Sequence, residues 1–382
     1  MKVTQIKNLL TPVLTEVLGE DAVLNEDLSN LVDLGNQVIG TDNVDNYVRK
    51  LVDRIGKVTF DQRLYAGGVP SVVKDAWEYG AIVEKISADL PEVSENDTWQ
   101  LQGGQSYSQD VFYQPKVSAK FFSKKITFEI KLSFTSVQVK SSFASVTELN
   151  SFLTMLEVAV QNALTLHLDN LIQRTINNYV GVVINRGQAL QKVNLLAGFN
   201  KLTGESLTAA KALTNKDFLR YAVMQVKTYQ SRLAKYSTLF NVEKTKKFTP
   251  TAKLHTILLT DFKDGADAYL ASDTIHPESV TLPAVETVPY WQGSGTDYTF
   301  DSISSIDVKV DDGKGSTVAV KQAGILGVMF DDNTLGVANL SQRVTTAVNA
   351  RGEFYTNFYK ADAGYYNDLS ENFVVFYIAD AA

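Results

Sequence analysis

The residues with chemical potential in this chain of 382 are few. Its three histidines, His167, His255 and His276, fit no metal-ligand spacing and sit in no catalytic motif. His167 lies at the edge of an apolar helical stripe, where a packed or hydrogen-bonded imidazole is expected. Neither G-x-S-x-G nor H-E-x-x-H occurs. Cysteine is absent, which excludes a thiolate nucleophile, Cys-ligated metal and disulfides. Gly313-Lys314-Gly315-Ser316-Thr317 imitates a phosphate loop. It lacks the Gly-x4-Gly-Lys frame and leads into no helix, so a hairpin turn is expected. Paired carboxylates can hold a metal or cleave a glycoside when a cleft brings them together. Asp311/Asp312, Asp331/Asp332 and the triplet Asp261, Asp264, Asp267 are the candidates. Among 43 acidic residues such neighbours arise by chance, and solvated turns are expected. No catalytic residue, metal or cofactor is assigned; an enzyme with an unrecognised carboxylate site is the alternative from another class.

The last forty residues are rich in aromatics: Phe354, Tyr355, Phe358, Tyr359, Tyr365, Tyr366, Phe373, Phe376 and Tyr377. Aromatic side chains can stack bases, but single-strand binders interleave them with cations. Lys360 is the one positive charge between Phe354 and Tyr377. A core or a subunit interface is therefore expected there. The net charge of −7 argues against a duplex-binding module, which needs clustered Lys and Arg. No window reads as a membrane span.

The elements that must position these residues centre on Ser145–Tyr179, which reads as one helix. Ser145-Val146-Thr147-Glu148 forms a capping box. Leu149, Phe152, Leu153, Leu156, Ala159, Val160, Ala163, Leu164, Leu168, Leu171, Ile172, Ile176 and Tyr179 follow at helical spacing. Its length is roughly 50 Å at ~1.5 Å per residue, with Gly181 as its stop. Upstream, Ile126, Phe128, Ile130, Leu132 and Phe134 alternate with polar residues, the mark of a strand with one buried face. Val111–Phe121 alternates more weakly, and Pro115 makes it an edge strand. The two predict a long two-stranded arm over 92–134, thin enough to need support from another molecule.

Residues 1–58 predict helices over Asn25–Ile39 and from Asp42 to Ile55. The run Ala81–Ile86 reads as a strand. Thr214-Asn215-Lys216-Asp217 starts a helix burying Phe218, Ala222, Val226, Tyr229, Leu233 and Tyr236. Leu254–Leu259 reads as a buried strand, Ala266–Ala271 as helical, and Ile306–Val310 with Thr317–Val320 as a hairpin. Ile325–Phe330 and Phe373–Ile378 read as central strands.

This order resembles the major capsid proteins of tailed bacteriophages with the Hong Kong 97-type fold, an α+β architecture. The likeness to those of phages and prophages of Gram-positive bacteria rests on three places. They are Trp77-Glu78-Tyr79-Gly80-Ala81-Ile82-Val83 with Asp89-Leu90-Pro91, Phe112-Tyr113-Gln114-Pro115-Lys116-Val117 through Phe122, and Phe354 to Tyr359 with Asn372 to Tyr377. The resemblance implies an N-terminal helical arm over 1–60 and a peripheral (P) domain from 61–91 and 135–185, carrying the spine helix. It further implies an extended E-loop hairpin over 92–134, an axial (A) domain over 186–343, and C-terminal strands over 344–382 completing both domains' sheets.

It also implies self-assembly into pentamers and hexamers of an icosahedral shell around phage double-stranded DNA. Portal and scaffolding proteins would be partners, the DNA contact weak and non-specific, and no membrane involved. The shell would be built in the bacterial host cytoplasm and end as the virion capsid. An encapsulin-like nanocompartment subunit is the alternative with the same fold. Trp99, Tyr107, Phe112, Tyr113, Lys124 and Lys125 are the expected subunit-interface residues on the arm.

Overall fold

The computed structural model describes residues 3–19, 22–25, 29–30, 33–34, 37, 69–74, 83–88, 90–91, 93, 95, 100–105, 112, 114–135, 146–271, 285–291, 304–352 and 354–380. The predicted helix over 42–55 and His276 lie outside them, as do nine of the fifteen residues of 25–39. An N-terminal helix α1 (Val3–Leu18) precedes that region. It buries Leu10, Val13 and Leu14, and no helix start had been assigned there.

The central element is α2 (Val146–Arg186), a single helix of 41 residues, or about 60 Å. Ala159 is exposed, but from Val160 onward the predicted stripe is buried apart from half-buried Ala163, down to Ile176 and Tyr179 at 0% exposure. The helix runs straight through Gly181. A Cβ at that position would overlap Val308 Cγ2 and lie 2.9 Å from Val310 Cγ1. Gly181 is therefore a close-packing residue, set against strand β8 (Ile306–Asp311), and not a stop. The helix ends at Gly187, whose N–H donates to the Val183 carbonyl at 2.7 Å.

The main core surrounds a five-stranded sheet. Its strands are β5 (Lys192–Asn194), β13 (Phe373–Tyr377), β10 (Ile325–Asp331), β6 (Leu254–Leu259) and β7 (Glu286–Val288), in that spatial order. β10 is antiparallel to both β13 and β6. All seven residues of β10 are buried, as continuous apolar runs in central strands require. Helices α3 (Leu195–Thr203), α4 (Ala209–Ala212), α5 (Lys216–Leu233) and α6 (Thr260–Ala271) belong to the same region. Asn215 caps α5 by accepting from Phe218 N at 2.9 Å. The predicted α5 face is buried through Leu233, whereas Tyr236 lies past the helix end and is 56% exposed. Tyr179 of α2 stacks on Phe373 with 4.1 Å between ring centroids, and Tyr229 meets Phe376 edge-on.

A second sheet has the order β1 (Val73–Lys74), β11 (Leu335–Asn349), β12 (Phe354–Asn367), β4 (Lys125–Thr135). The alternation in β4 holds, with Phe128 buried and stacked on His167 of α2. Its partner is β12, paired from Phe354↔Thr135 to Gly364↔Lys125. The upstream run forms β3 (Val117–Phe122), which pairs with β2 (Val83–Ala88). The two strands expected to face each other across 92–134 therefore pair with strands outside that segment. β12 offers β4 an eleven-residue ladder with buried aromatics, which the short, weakly alternating β3 could not. The extended hairpin of the chain is β2–β3, with 89–116 as its connection.

β8 and β9 (Thr317–Gln322) form the predicted hairpin. In its turn the Asp311 carboxylate accepts from Gly313 N, and Asp312 accepts from Lys314 N and Ser316 N. The amides that would cradle a phosphate are already occupied by carboxylates. Gly313 takes a φ of +76°, which favours glycine.

Candidate functional site: the mounting of the extended hairpin

Alternation gives the β2–β3 hairpin two unlike faces. Glu84, Ile86 and Ala88 of β2 lie opposite Phe121, Ala119 and Val117 of β3. This face is open: Ile86 is 66%, Val117 60% and Phe121 63% exposed. The other face carries Lys85, Ser87, Lys120 and Phe122. Ser87 Oγ and Ser118 Oγ share a hydrogen bond of 2.9 Å, and Phe122 packs on Tyr366 of β12 with centroids 5.1 Å apart.

Lys85 and Lys120 anchor this second face to the turn between β12 and β13. Lys85 Nζ donates to Asp368 Oδ2 and Glu371 Oε1, both at 2.6 Å. Lys120 Nζ donates to Glu243 Oε2 at 2.7 Å and Asp368 Oδ1 at 3.1 Å. Lys247 closes the cluster through Glu371 Oε1 at 3.0 Å. The Asp368 side chain is completely buried. Burial alone would raise its pKa. The hydrogen bond and charge of Lys85, with the Ser370 hydroxyl and amide, outweigh burial and hold it at about 2. The spine helix locks the turn from behind: Tyr179 Oη donates to the Asp368 carbonyl at 3.0 Å and the Glu371 carbonyl at 3.3 Å. Burial first, then the Asp368 and Glu371 charges, push the Tyr179 pKa well above its ordinary value.

A second clasp ties the long strands together. Asp362 of β12 accepts from Arg343 of β11, from Ser341 Oγ at 2.9 Å and from Thr127 Oγ1 of β4 at 2.6 Å. The Arg343 hydrogen bond leads in holding the Asp362 pKa down to about 2, against a smaller opposing effect of burial.

The acidic pairs separate into different roles. Asp311 and Asp312 order a turn, as expected. Asp331 is buried rather than solvated, with burial raising its pKa against the Asn333 amide. Asp332 pairs with Lys74 at 2.6 Å and lies 3.2 Å from His255 Nε2. Among the described residues no cluster of His, Asp or Glu could hold a metal ion. Among them, too, no helix is long and apolar enough to cross a membrane. The C-terminal aromatics are mainly core, with Tyr355, Tyr359, Phe373 and Phe376 buried.

Of the expected interface residues, Trp99, Tyr107 and Tyr113 lie outside the described residues. Phe112 is 85% exposed in the hairpin connection. Lys124 and Lys125 are exposed where the chain crosses from β3 to β4, and the Lys124 carbonyl accepts from Tyr365 N at 3.1 Å. Lys85, Asp368 and Glu371 are not among the residues the sequence marks as a site, and Lys120 is marked there only as one of the arm lysines, without a partner. The local signal is the charged pair Glu84-Lys85 inside the apolar run Ala81–Ile86.

A long spine helix, a mounted two-stranded extension and a five-stranded sheet packed on the helix define the Hong Kong 97-type class of tailed-phage capsid subunits. The fold is similar to one in the capsid structure of Staphylococcus phage Andhra, with a TM-score of 0.52 and 11% identity, covering 84% of this chain and 87% of that one. A chain of the cyanophage P-SCSP1u capsid structure matches at TM-score 0.47 and 8% identity, covering 84% of this chain and 93% of that one. Among curated proteins no sequence matches. The family model for the Phi29-like phage major capsid protein matches residues 11–377, and the chain belongs to that family. It is a structural, shell-forming capsid protein and not an enzyme, and the nanocompartment alternative is not favoured.

Proposed function

We propose that the β2–β3 hairpin and its connection are the arm by which one subunit of the shell grips the next. The observation that carries this is the open apolar face of Ile86, Val117 and Phe121, continued by Leu90, Val93, Leu101 and Phe112, each more than half exposed. Apolar surface concentrated on one projecting element marks an interaction site, and an isolated two-stranded element gains stability by burying such a face. Phe112, Lys124 and Lys125, with Trp99, Tyr107 and Tyr113, remain the proposed contact residues. In this reading 1–60 is the N-terminal arm, and the E-loop expected over 92–134 is the β2–β3 hairpin with its connection, flanked on both sides by the P-domain, to which β4 belongs. Residues 186–343 form the A-domain, and 344–382 supply the closing strands.

Head-to-tail contacts of this kind close into rings. The rings are pentamers and hexamers of an icosahedral shell enclosing double-stranded DNA through weak, non-specific contact. Portal and scaffolding proteins are the further partners, and assembly takes place in the host cytoplasm. Electron microscopy of the purified chain under assembly conditions tests the reading. Uniform shells or capsomer rings are expected; a persistent small oligomer without particles would overturn it.

A further inference from the structure

The segment from the last turn of α5 to the start of β6, residues 232–253, departs from the rest of the molecule in charge. It carries Arg232, Lys235, Lys244, Lys246, Lys247 and Lys253 against a single carboxylate, Glu243, in a chain of net charge −7. The segment is firmly built. Ser237 and Lys247 exchange two backbone hydrogen bonds of 3.0 Å. Thr249 N donates to the Leu233 carbonyl at 2.8 Å. Asn241 Oδ1 accepts from Thr245 N at 2.8 Å.

The Ser237–Lys247 bridge sorts the side chains. Neighbouring positions along paired strands point to opposite faces, and Lys247 points inward to Glu371. Tyr236, Lys246 and Phe248 therefore point outward. Tyr236 and Phe248 pack together with ring centroids 4.5 Å apart. Both are exposed, as are nearby Leu239 and the cations Lys235, Lys244, Lys246 and Lys253. The result is an exposed aromatic pair in a segment rich in exposed lysines.

The hairpin connection has the opposite character. Residues 86–115 contain no Lys or Arg but five acidic residues, Asp89, Glu92, Glu95, Asp97 and Asp110. Its described apolar residues Leu90, Val93, Leu101 and Phe112 are exposed in the single chain, as the aromatic pair is. Among the described residues, these side chains of both surfaces are left open by their own subunit. Lys120 at the hairpin base already reaches Glu243 of the same chain, while the contour length of the connection, at most ~3.3 Å per residue, is enough to reach a neighbouring copy.

We propose that the cationic–aromatic segment 232–253 is the receiving surface for the acidic, apolar hairpin connection of a neighbouring copy. Aromatic anchors inside a charged rim are the usual anatomy of such contacts, and opposite charge sets the register of docking. The inference rests on the arm reading above and adds where the arm lands.

The test is a charge swap in the full chain. K244E/K246E lies outside the Lys85–Asp368 cluster, and its thermal unfolding should match that of the native chain. Shell yield, counted by electron microscopy and sedimentation, should fall at least tenfold. E92K/E95K/D97K should lose assembly likewise, and the combined variant should recover most of it. K244A/K246A carries the same test, with a smaller loss, should the reversal disturb folding. Normal shells from K244E/K246E, or no recovery in the combined variant, would overturn this docking site while native shells keep the arm reading intact. Normal shells that only retain less DNA would also overturn it, assigning the segment to the polyanion. Failure of the native chain to assemble would remove the arm reading and this one together.

Discussion

Lys85 and Lys120 face each other directly across β2 and β3, and both ammonium groups bind the same buried carboxylate, Asp368. Like charges placed opposite one another destabilise a strand pair. Here the repulsion is cancelled only while the hairpin is seated on the β12–β13 turn. The ion cluster therefore couples hairpin pairing to mounting on the subunit body, and the turn is itself held by Tyr179 of the spine helix.

The two lysines should contribute unequally. Lys85 serves Asp368 and Glu371, whose side chains are nearly inaccessible, whereas Lys120 spends one of its bonds on the exposed Glu243. Removing one partner of a buried pair leaves an uncompensated charge, and surface pairs are worth little. Lys85→Ala should cost about 3 kcal/mol and Lys120→Ala about 1 kcal/mol in denaturant unfolding. Equal losses would contradict the assigned geometry.

Acid should loosen the mounting. Asp368 is depressed from 3.8 to about 2, so the folded state holds its carboxylate charged more tightly than the unfolded chain does. That stabilisation, on the order of 2 kcal/mol, is present above about pH 4 and is lost as pH falls towards 2. Asp362 behaves in the same direction. Asp368→Asn should therefore be less stable than the native chain at pH 7, with the gap closing by pH 2. A gap independent of pH would show that the charge of Asp368 is not what holds the turn.

Tyr179→Phe removes the one hydroxyl that reaches both the Asp368 and Glu371 carbonyls, while the ring can keep its stack on Phe373. A buried hydrogen bond is worth about 1 kcal/mol, with more lost when an acceptor is left unmade. A loss of about 1–2 kcal/mol is expected, together with faster amide exchange in β2 and β3. Unchanged exchange there would disconnect the spine helix from the hairpin.

Helix propensity makes Gly→Ala stabilising by about 1 kcal/mol in a helix interior. Gly181→Ala should do the reverse, because the new methyl overlaps Val308 and overpacking costs about 1–3 kcal/mol. Thermal unfolding supplies the sign. A stabilised variant would mean that β8 can move away from the helix.

Gly181 also shows where sequence reading reached its limit. Local pattern reads glycine as a stop, while its actual cause, the approach of β8, lies more than a hundred residues away in sequence. Short-range periodicity found α2, β4, α5, β6, β10 and β13, because each has a simple relation between spacing and buried face. It missed β11, whose opening Leu335-Gly336-Val337-Ala338 is buried throughout and carries no alternation. It also mispaired β3 with β4, since proximity in sequence says nothing about the longer ladder that β12 offers. The Lys85–Asp368 contact joins residues 283 positions apart, so no local pattern contains it.

Shortening the arm while keeping its mount tests the central claim most directly. Replacing residues 90–115 with a short Gly-Ser turn retains Lys85, Lys120 and the β2–β3 ladder. Sedimentation and electron microscopy of this variant beside the native chain should show a folded, soluble subunit that forms no closed shells. Shells of normal size and number from the shortened chain would contradict the role assigned to the arm.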